Sequence, residues 1–208
     1  MKRLVISTIA FVGLFFAVAL ISNLPVRGND NDQNREDRDT QSKIQIGFDI
    51  APVPLNLQGK NRALVGLGSY IVNAQGSCND CHTCPSYVPG TNPFPPFFGA
   101  GAAGHGIINS TNYLAGGVTF TAAPPGQTPT VVISKNLTPD ATGKPVGLTL
   151  EQFKNAIRTG IDPSDGGTLA VMPWPILRNM TDRDLEAIYT YLSAIPHKEP
   201  GQCVAPGQ

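Results

Sequence analysis

The sequence lacks an excess of charge of either sign. Its 208 residues include 15 Lys and Arg against 15 Asp and Glu, and charged residues make up only 14% of the chain. Aromatic residues amount to 7%, and no stretch alternates them with Lys or Arg. Binding of nucleic acid needs a basic surface, so this composition argues against it. The length suits one ordinary domain with extensions, and no internal repeat suggests a second one.

Long apolar runs are absent except at the N-terminus. Residues 4–21 form such a run behind Lys2 and Arg3, as in the charged and hydrophobic regions of an export signal. At roughly 18 residues the run is also about long enough to span a bilayer. An A-x-A-like cleavage site at residues 17–19 lies inside the run, so removal and retention both stay open. We assign residues 1–28 to an export signal or a membrane anchor.

Apolar side chains are nearly missing from the next segment. Residues 29–43 consist mainly of Asn, Asp, Gln, Arg and Glu, which cannot bury enough surface to offset the entropy of ordering. We therefore expect a flexible polar spacer, followed by one folded domain over residues 44–208. Every second residue from 44 to 50 is apolar, which predicts an extended segment that ends at Pro52.

Three segments of the folded domain have helical periodicity. Residues 62–74 place Leu64, Leu67 and Ile71 on one face, and two glycines at 66 and 68 predict a close crossing with another helix. Capping boxes, formed by Thr149 with Gln152 and by Thr181 with Asp184, open the other two helices. These helices are expected to end at Gly160 and before Pro196.

Residues 85–147 are rich in Pro, Gly, Asn, Ser and Thr instead. Only short apolar runs at 118–120 and 131–133 could form strands there. The sequence therefore predicts an all-α fold of three or more short helices with a long, loop-rich insertion.

One motif carries the chemistry. Cys78-Asn79-Asp80-Cys81-His82 is a C-x-x-C-H sequence, which is typical of covalent haem c attachment and occurs once. Two thiols three positions apart can add to the two vinyl groups of one porphyrin. The adjacent His82 can then present its imidazole to the iron from the same side.

These residues could also form a redox-active dithiol or a zinc site. A thioredoxin-type dithiol belongs at the turn from a strand to a helix in a βαβ unit, whereas this motif follows a predicted helix. A zinc site of Cys78, Cys81, His82 and Cys84 would crowd all its ligands into seven residues of sequence, which is poor zinc geometry. Both interpretations are weaker than haem attachment.

Together these segments resemble a known family, the class I monohaem c-type cytochromes, and especially haem subunits of periplasmic alcohol and aldehyde dehydrogenases. The resemblance covers about residues 61–196. It rests on the helix that leads into the C-x-x-C-H motif, on Asn136–Asp140, and on Met172-Pro173-Trp174 before the capped last helix. It implies a cytochrome c-like fold, one covalent haem, and a methionine ahead of the last helix as second axial ligand. It also implies that the first and last helices cross at small residues, which Gly66, Gly68 and Tyr189 match.

Four residues are candidates for the axial position opposite His82. Met172 lies in a loop between the second and third helices, and Pro173 restricts the backbone behind it. Met180 lies just before a helix cap and suits the core better. His105, in a Gly-rich loop, and His197 are the remaining candidates. We favour Met172, because its position in this loop allows it to be aimed across the haem from His82. A thioether opposite imidazole would raise the reduction potential.

Several other side chains have open roles. Cys84 and Cys203 would be paired in an oxidising compartment, although two free thiols remain an alternative. Trp174 could donate to a haem propionate or pack on the porphyrin. By the resemblance alone, residues 136–140 line the propionate edge, whereas Thr-Pro-Asp within them also predicts a simple turn.

The function expected from these residues is electron transfer on one covalent haem c bound by Cys78, Cys81, His82 and Met172, without catalysis. Two alternatives stay open: a haem enzyme or sensor with an exchangeable sixth ligand, and a haem subunit docked permanently on a dehydrogenase. Redox proteins are the expected partners. The expected location is periplasmic or otherwise outside the cytoplasm, with membrane tethering if the N-terminal segment is retained.

Overall fold

The structure is a computed structural model that describes residues 30–93, 106–122, 130–201 and 203. The chain divides into two compact units, residues 1–39 and 40–208. The predicted export signal or anchor over residues 1–28 lies outside the described residues. Within the described ranges, no helix is both long enough and apolar enough to cross a membrane.

The first helix, α1 (Asp30–Asp49), occupies the segment predicted to be a spacer followed by an extended stretch. The prediction of an extended segment over residues 44–50 was wrong, because the residues that pack on the next helix are spaced by three and four positions. Ile44 is buried and Gly47 and Phe48 lie on the same side, whereas Ile46 is 44% exposed. Their shared face packs on the next helix. The polar segment from Asp30 to residue 43 is helical as well, and most side chains of residues 31–43 are exposed.

The helix predicted over residues 62–74 is present in two parts. An α-helix, α2 (Arg62–Tyr70), begins at Asn61, whose side chain accepts hydrogen bonds from two backbone amides. It continues into a π-helical turn over Ile71–Gln75. Such wide turns are rare and often lie beside functional sites. Ser77 then adopts a left-handed conformation, with φ of 46°, and the short helix α3 (Cys78–His82) follows at once.

The insertion contains a small antiparallel sheet. Strands β1 (Thr119–Ala122) and β2 (Thr130–Ile133) pair with Thr119 opposite Ile133. The two short apolar runs therefore form strands as predicted, and the fold is helix-rich without being strictly all-α. The remaining described insertion consists of irregular chain, turns and bends, with isolated bridges such as that of Tyr87 with Ile108.

Three further helices complete the described fold: α4 (Leu150–Thr159), α5 (Trp174–Leu177) and α6 (Asp182–Leu192). Both predicted capping boxes are formed, at Thr149 and at Thr181. Gly160 ends α4 in a left-handed conformation, as predicted. The main core joins α2, the π-helical turn, α4 and α6 through buried side chains, among them Val65, Val72, Phe153, Leu185 and Tyr191.

Two glycines of α2 serve two different contacts. A side chain at Gly68 would overlap the carbonyl of Ala187 on α6, so α2 and α6 cross closely there, as expected. A side chain at Gly66 would instead overlap Ile44 and Phe48 of α1. Tyr189 lies away from the crossing, and its hydroxyl donates to the carbonyl of Leu148 at 2.9 Å.

Candidate haem site

The C-x-x-C-H motif forms the whole of α3. The two thiols are unbonded; Cys81 is exposed, while Cys78 is partly buried and packs against the main core. Gly76 makes this placement feasible, since a side chain there would lie only 3.2 Å from the sulfur of Cys78. The turn of helix thus offers one thiol from the protein surface and one from its interior.

The environment of these thiols differs from that of a redox-active dithiol. Burial, reinforced by Cys81 and Asp80, raises the pKa of Cys78 to about 11. Burial and the neighbouring Asp80 also raise the pKa of Cys81 above its usual value. A thioredoxin-type cysteine needs a lowered pKa, because the thiolate is the nucleophile. The motif also follows a helical turn and not a strand, so neither feature supports that alternative.

His82 has a fixed hydrogen-bonding role. Its Nδ1 lies 2.8 Å from the carbonyl oxygen of Lys135. A carbonyl oxygen can only accept a hydrogen bond, so Nδ1 carries the proton and Nε2 keeps its lone pair. Burial lowers the pKa of His82, although the bond to Lys135 opposes this, and the ring is therefore neutral at pH 7. A neutral imidazole held through one nitrogen by a backbone carbonyl is the usual state of a metal-binding histidine.

Residues of the insertion form hydrogen bonds with α3 and with Thr83, which follows it. The amide of Gly116 donates to the carbonyl of His82 at 2.7 Å, and the amide of Leu114 donates to the hydroxyl of the buried Thr83 at 2.8 Å. Asn79 is buried and donates to the carbonyl of Ser86 at 3.1 Å. The haem motif is therefore anchored by bonds to residues well beyond it along the chain.

A buried polar network lies behind the motif. The hydroxyl of Tyr113 donates to Asn73 at 2.5 Å and lies 2.9 Å from the hydroxyl of Tyr191. Asn73 also donates to Tyr191 and to Ser69, whose hydroxyl donates to the carbonyl of Gly47 at 2.6 Å. The network joins α1, the π-helical turn, the insertion and α6. Burial, together with the adjacent Tyr191 and Cys78, raises the pKa of Tyr113 well above its usual value, so this group stays neutral.

Met172 lies in the loop between α4 and α5. It is partly buried and packs against the same core cluster as Cys78. Trp174 begins α5, and its ring covers the backbone of Gly160, where any side chain would overlap the indole. Packing of Trp174 on Gly160 therefore accounts for its position, and its predicted role toward a haem stays a prediction.

The other candidates for the second axial ligand differ from Met172. Met180 packs against both apolar clusters of the core. Both ring nitrogens of His197 have partners, the carbonyl of Pro139 at 2.6 Å and the carboxylate of Glu199 at 3.3 Å. His105 lies outside the described residues. Met172 and Met180 are both partly buried and both lie outside the helices, but Met180 packs against both apolar clusters and Met172 only against the main one.

Residues 136–140 form turns that bind the C-terminal tail. The side chain of Asn136 accepts from the amide of Thr138 at 2.9 Å and donates to the carbonyl of Lys198 at 2.7 Å. Asp140 accepts from the amides of Thr142 and Lys144, at 2.8 and 3.0 Å. The turn prediction for this segment is confirmed, and its predicted role at the propionate edge stays a prediction.

Cys84 and Cys203 are joined by a disulfide across 119 residues of sequence, with their Cα atoms 5.2 Å apart. This confirms the predicted pairing and removes Cys84 from any zinc site with the motif. Within the described ranges, no cluster of three or more His, Cys, Asp or Glu side chains is arranged to hold a metal ion.

Sequence reasoning missed two contributors to the site. The carbonyl of Lys135, which orients His82, belongs to a residue 53 positions away. The network partner Tyr113 lies in a Gly-rich part of the insertion where no periodicity marks it as core, although it is only 1% exposed. Any backbone can supply a carbonyl, so no side-chain pattern could have identified Lys135.

The chain is similar to known cytochrome subunits. It is 30% identical over 131 residues to the gluconate 2-dehydrogenase cytochrome c subunit of Pantoea cypripedii, which covers 63% of this chain and 23% of that protein. It is 33% identical over 91 residues to the fructose dehydrogenase cytochrome subunit of Gluconobacter japonicus, covering 44% and 18%. It is 32% identical over 145 residues to the cytochrome c subunit of the quinone-type alcohol dehydrogenase of Gluconacetobacter polyoxogenes, covering 66% and 24%.

The similarity covers only part of each of these relatives. The chain spans at most about a quarter of the length of the curated relatives it matches, 24% in the largest case. No family model matches the chain. No solved structure matches it either. The resemblance seen in the sequence is nevertheless confirmed, because the chain is similar to the cytochrome c subunits of gluconate, fructose and alcohol dehydrogenases.

Proposed function

We propose that residues 44–208 form a monohaem c-type cytochrome domain with a cytochrome c-like fold, and that it carries electrons without catalysing a reaction of its own. The helix-rich core, the crossing of α2 and α6 at Gly68, and the similarity to cytochrome c subunits support this proposal. The small hairpin and the long loops then elaborate the family fold.

The chain supplies four residues for one haem c. Cys78 and Cys81 would form the thioether bonds, and His82, through Nε2, and Met172 would hold the iron. When bound, the haem supplies one-electron chemistry by cycling its iron between the ferric and ferrous states. If His82 and Met172 both hold the iron, the protein would leave it no site for a small-molecule ligand. The protein therefore acts by holding the group and admitting partners to its edge.

A single observation carries the proposal. Beside two unbonded thiols on one helical turn, His82 is neutral and is held through Nδ1 by the carbonyl of Lys135. This leaves Nε2 as an electron-pair donor in a fixed direction, which is the chemistry that an axial ligand requires. The donor set therefore fits haem c better than it fits a dithiol or a zinc ion.

The relatives suggest the partner and the compartment. Their names describe cytochrome subunits of dehydrogenases. We propose that this domain accepts electrons from a dehydrogenase subunit, either in a stable complex or in transient encounters. The disulfide between Cys84 and Cys203 supports export to an oxidising compartment. Residues 1–28 would direct that export and, if retained, tether the domain to the membrane.

The test is expression in a host with haem-ligation machinery, followed by haem staining of denaturing gels and by spectra of both redox states. Wild-type protein should retain stain, and a Cys78→Ala/Cys81→Ala double variant should lose it, because no thiol remains to hold the haem covalently. Covalent haem on the double variant would contradict the proposal.

The second axial ligand is tested in the same preparations. Met172→Ala should open the iron to carbon monoxide and cyanide and lower the reduction potential, because a thioether favours ferrous iron. Met180→Ala is the matched control and should do neither. If Met180→Ala alone has these effects, the ligand is Met180. If wild-type protein binds carbon monoxide or cyanide without delay, the domain is a haem enzyme or sensor.

A further inference from the structure

Lys135 contacts two separate parts of the candidate site. Its backbone carbonyl accepts the hydrogen bond from Nδ1 of His82 at 2.8 Å. Its side-chain ammonium forms an ion pair with Asp162 and donates to the hydroxyl of Ser164 at 2.9 Å. One residue thus joins the helix of the haem motif to the segment that precedes Met172.

Asp162 is built into that segment as its organising residue. It is only 7% exposed, and its carboxylate accepts from the amide and the hydroxyl of Ser164, at 2.9 and 2.6 Å. Its own amide donates to the carbonyl of Gly167 at 2.8 Å, which closes the loop. Burial alone would raise the pKa of Asp162, but hydrogen bonds from Lys135 and Ser164 outweigh it and hold the pKa below its usual value. The carboxylate is therefore ionised and needs its cation.

The loop closed by Asp162 leads directly to Met172. Ile161 pairs with Thr168 as an isolated bridge, and the amide of Leu169 donates to the carbonyl of Gly160 at 2.8 Å. Gly160 in turn lies under the ring of Trp174. The segment is therefore held before Met172 by a hydrogen bond and after it by the packing of Trp174 on Gly160, and Lys135 joins this arrangement to the part of the site that contains His82.

We propose that Lys135 is a positioning residue that couples the two axial ligands: its carbonyl orients His82, and its ammonium fixes the loop that presents Met172. This inference rests on the proposed function, in which both residues bind the iron. Loss of the ammonium leaves the buried carboxylate of Asp162 without its cation. The loop would then open more often and would hold Met172 in place less firmly.

The test uses the holoprotein with Lys135→Met, which removes the charge and preserves most of the length. The measurements are the ferric absorption band that marks sulfur bound to iron, and the rate of cyanide binding. Cyanide should bind about tenfold faster to Lys135→Met, a change of about 1.4 kcal/mol, because the carboxylate of Asp162 loses its cation and the loop it closes opens more often. Covalent haem content should not change. Lys135→Arg, which restores the cation, should return the rate toward that of wild type.

Two comparisons make the test specific. Asp162→Asn should also speed cyanide binding, and the double variant should be no faster than the more affected single variant, since both remove one interaction. Asp182→Asn breaks the ion pair between Asp182 and Arg158. The side chain of Asp182 is 75% exposed, so this variant should leave the rate of cyanide binding unchanged. A general loss of stability would affect this control as well.

The outcomes separate the inference from the proposed function. If wild-type protein has covalent haem but no sulfur-to-iron band, the assignment of Met172 fails and this inference fails with it. If the band is present and both Lys135→Met and Asp162→Asn bind cyanide at the wild-type rate, the coupling is disproved while the proposed function stands.

Discussion

The helical part of the domain and its insertion are stabilised by different interactions. In the helices α2, α4 and α6, apolar side chains are buried against one another and the backbones cross closely at Gly68. In the insertion, polar side chains bind backbone groups, as Asn136 does to Thr138 and Lys198, and a disulfide joins its start to the C-terminal tail. Burial organises the first region, and specific bonds organise the second.

The candidate site takes one part from each region. Cys78 is placed by packing against the helical core, whereas the orientation of His82 depends on a carbonyl from the insertion. The insertion is therefore part of the candidate site. Changes in the two regions should accordingly have different consequences, which the following predictions test.

The largest effect is expected from the disulfide. Cys203→Ser should lower the free energy of unfolding of the holoprotein by roughly 4 to 5 kcal/mol, the chain-entropy value for a closed loop of over a hundred residues. Strain in the native bond would reduce this figure. Denaturant unfolding measures the loss, and haem staining should be unchanged because Cys78 and Cys81 take no part in the bond.

Reduction gives the matched control for that variant. Wild-type holoprotein treated with a mild reductant should lose the same stability, whereas Cys203→Ser should not respond. Thiol titration of unfolded, unreduced wild-type holoprotein should find no free thiol, since haem consumes the other two cysteines. Two free thiols, together with unchanged stability of the variant, would show that the insertion is held by its hydrogen bonds alone.

A smaller effect is expected at the crossing of the helices. Gly68→Ala should destabilise the protein, because the added methyl overlaps the carbonyl of Ala187. The usual cost of overpacking is about 1 to 3 kcal/mol, and a gain of about 1 kcal/mol in helix propensity offsets part of it. Gly167→Ala is the control in a loop, where the added methyl meets the side chain of Asp165 at 3.0 Å. Equal thermal shifts in the two variants would disprove a tight crossing.

The sequence predicted the helical part better than the insertion, for a physical reason. Capping boxes and apolar periodicity are local patterns, so the ends of α4 and α6 followed from neighbouring residues. The failure at residues 44–50 had the same origin. An alternating pattern and a helical pattern share Ile44 and Phe48, and both residues lie against the backbone of α2 at Gly66, a contact distant in sequence that favours the helix.

The candidate site could be predicted only in its local part. The motif at residues 78–82 identified the thiols and the imidazole, because haem attachment needs them adjacent in the chain. Lys135, Asp162 and Tyr113 act through contacts that are distant in sequence, and Lys135 acts on His82 through its backbone. Such contributions have no signature in residue type, and they became visible only in the folded chain.

The smallest effect is expected where the tail meets the insertion, at His197. The carbonyl of Pro139 and then the carboxylate of Glu199 raise the pKa of His197 above its ordinary value of 6.5, and the nearby Asp140 acts in the same direction. A raised pKa means that the folded protein binds this proton more tightly than the unfolded chain does. The stabilisation is therefore complete below pH 6.5 and is lost as the pH rises through the raised value.

Replacement of His197 tests this sign directly. The difference in unfolding free energy between wild type and His197→Gln should be larger at pH 5 than at pH 8, because only the protonated ring attracts the two carboxylates. Glu199→Gln should reduce the pH dependence without abolishing it, since the bond to Pro139 remains. The measurement is denaturant unfolding at both pH values, in low salt so that the exposed charges are not screened. A difference that is larger at pH 8 would mean that the tail is held by the neutral ring, and that charge contributes nothing to closing the insertion.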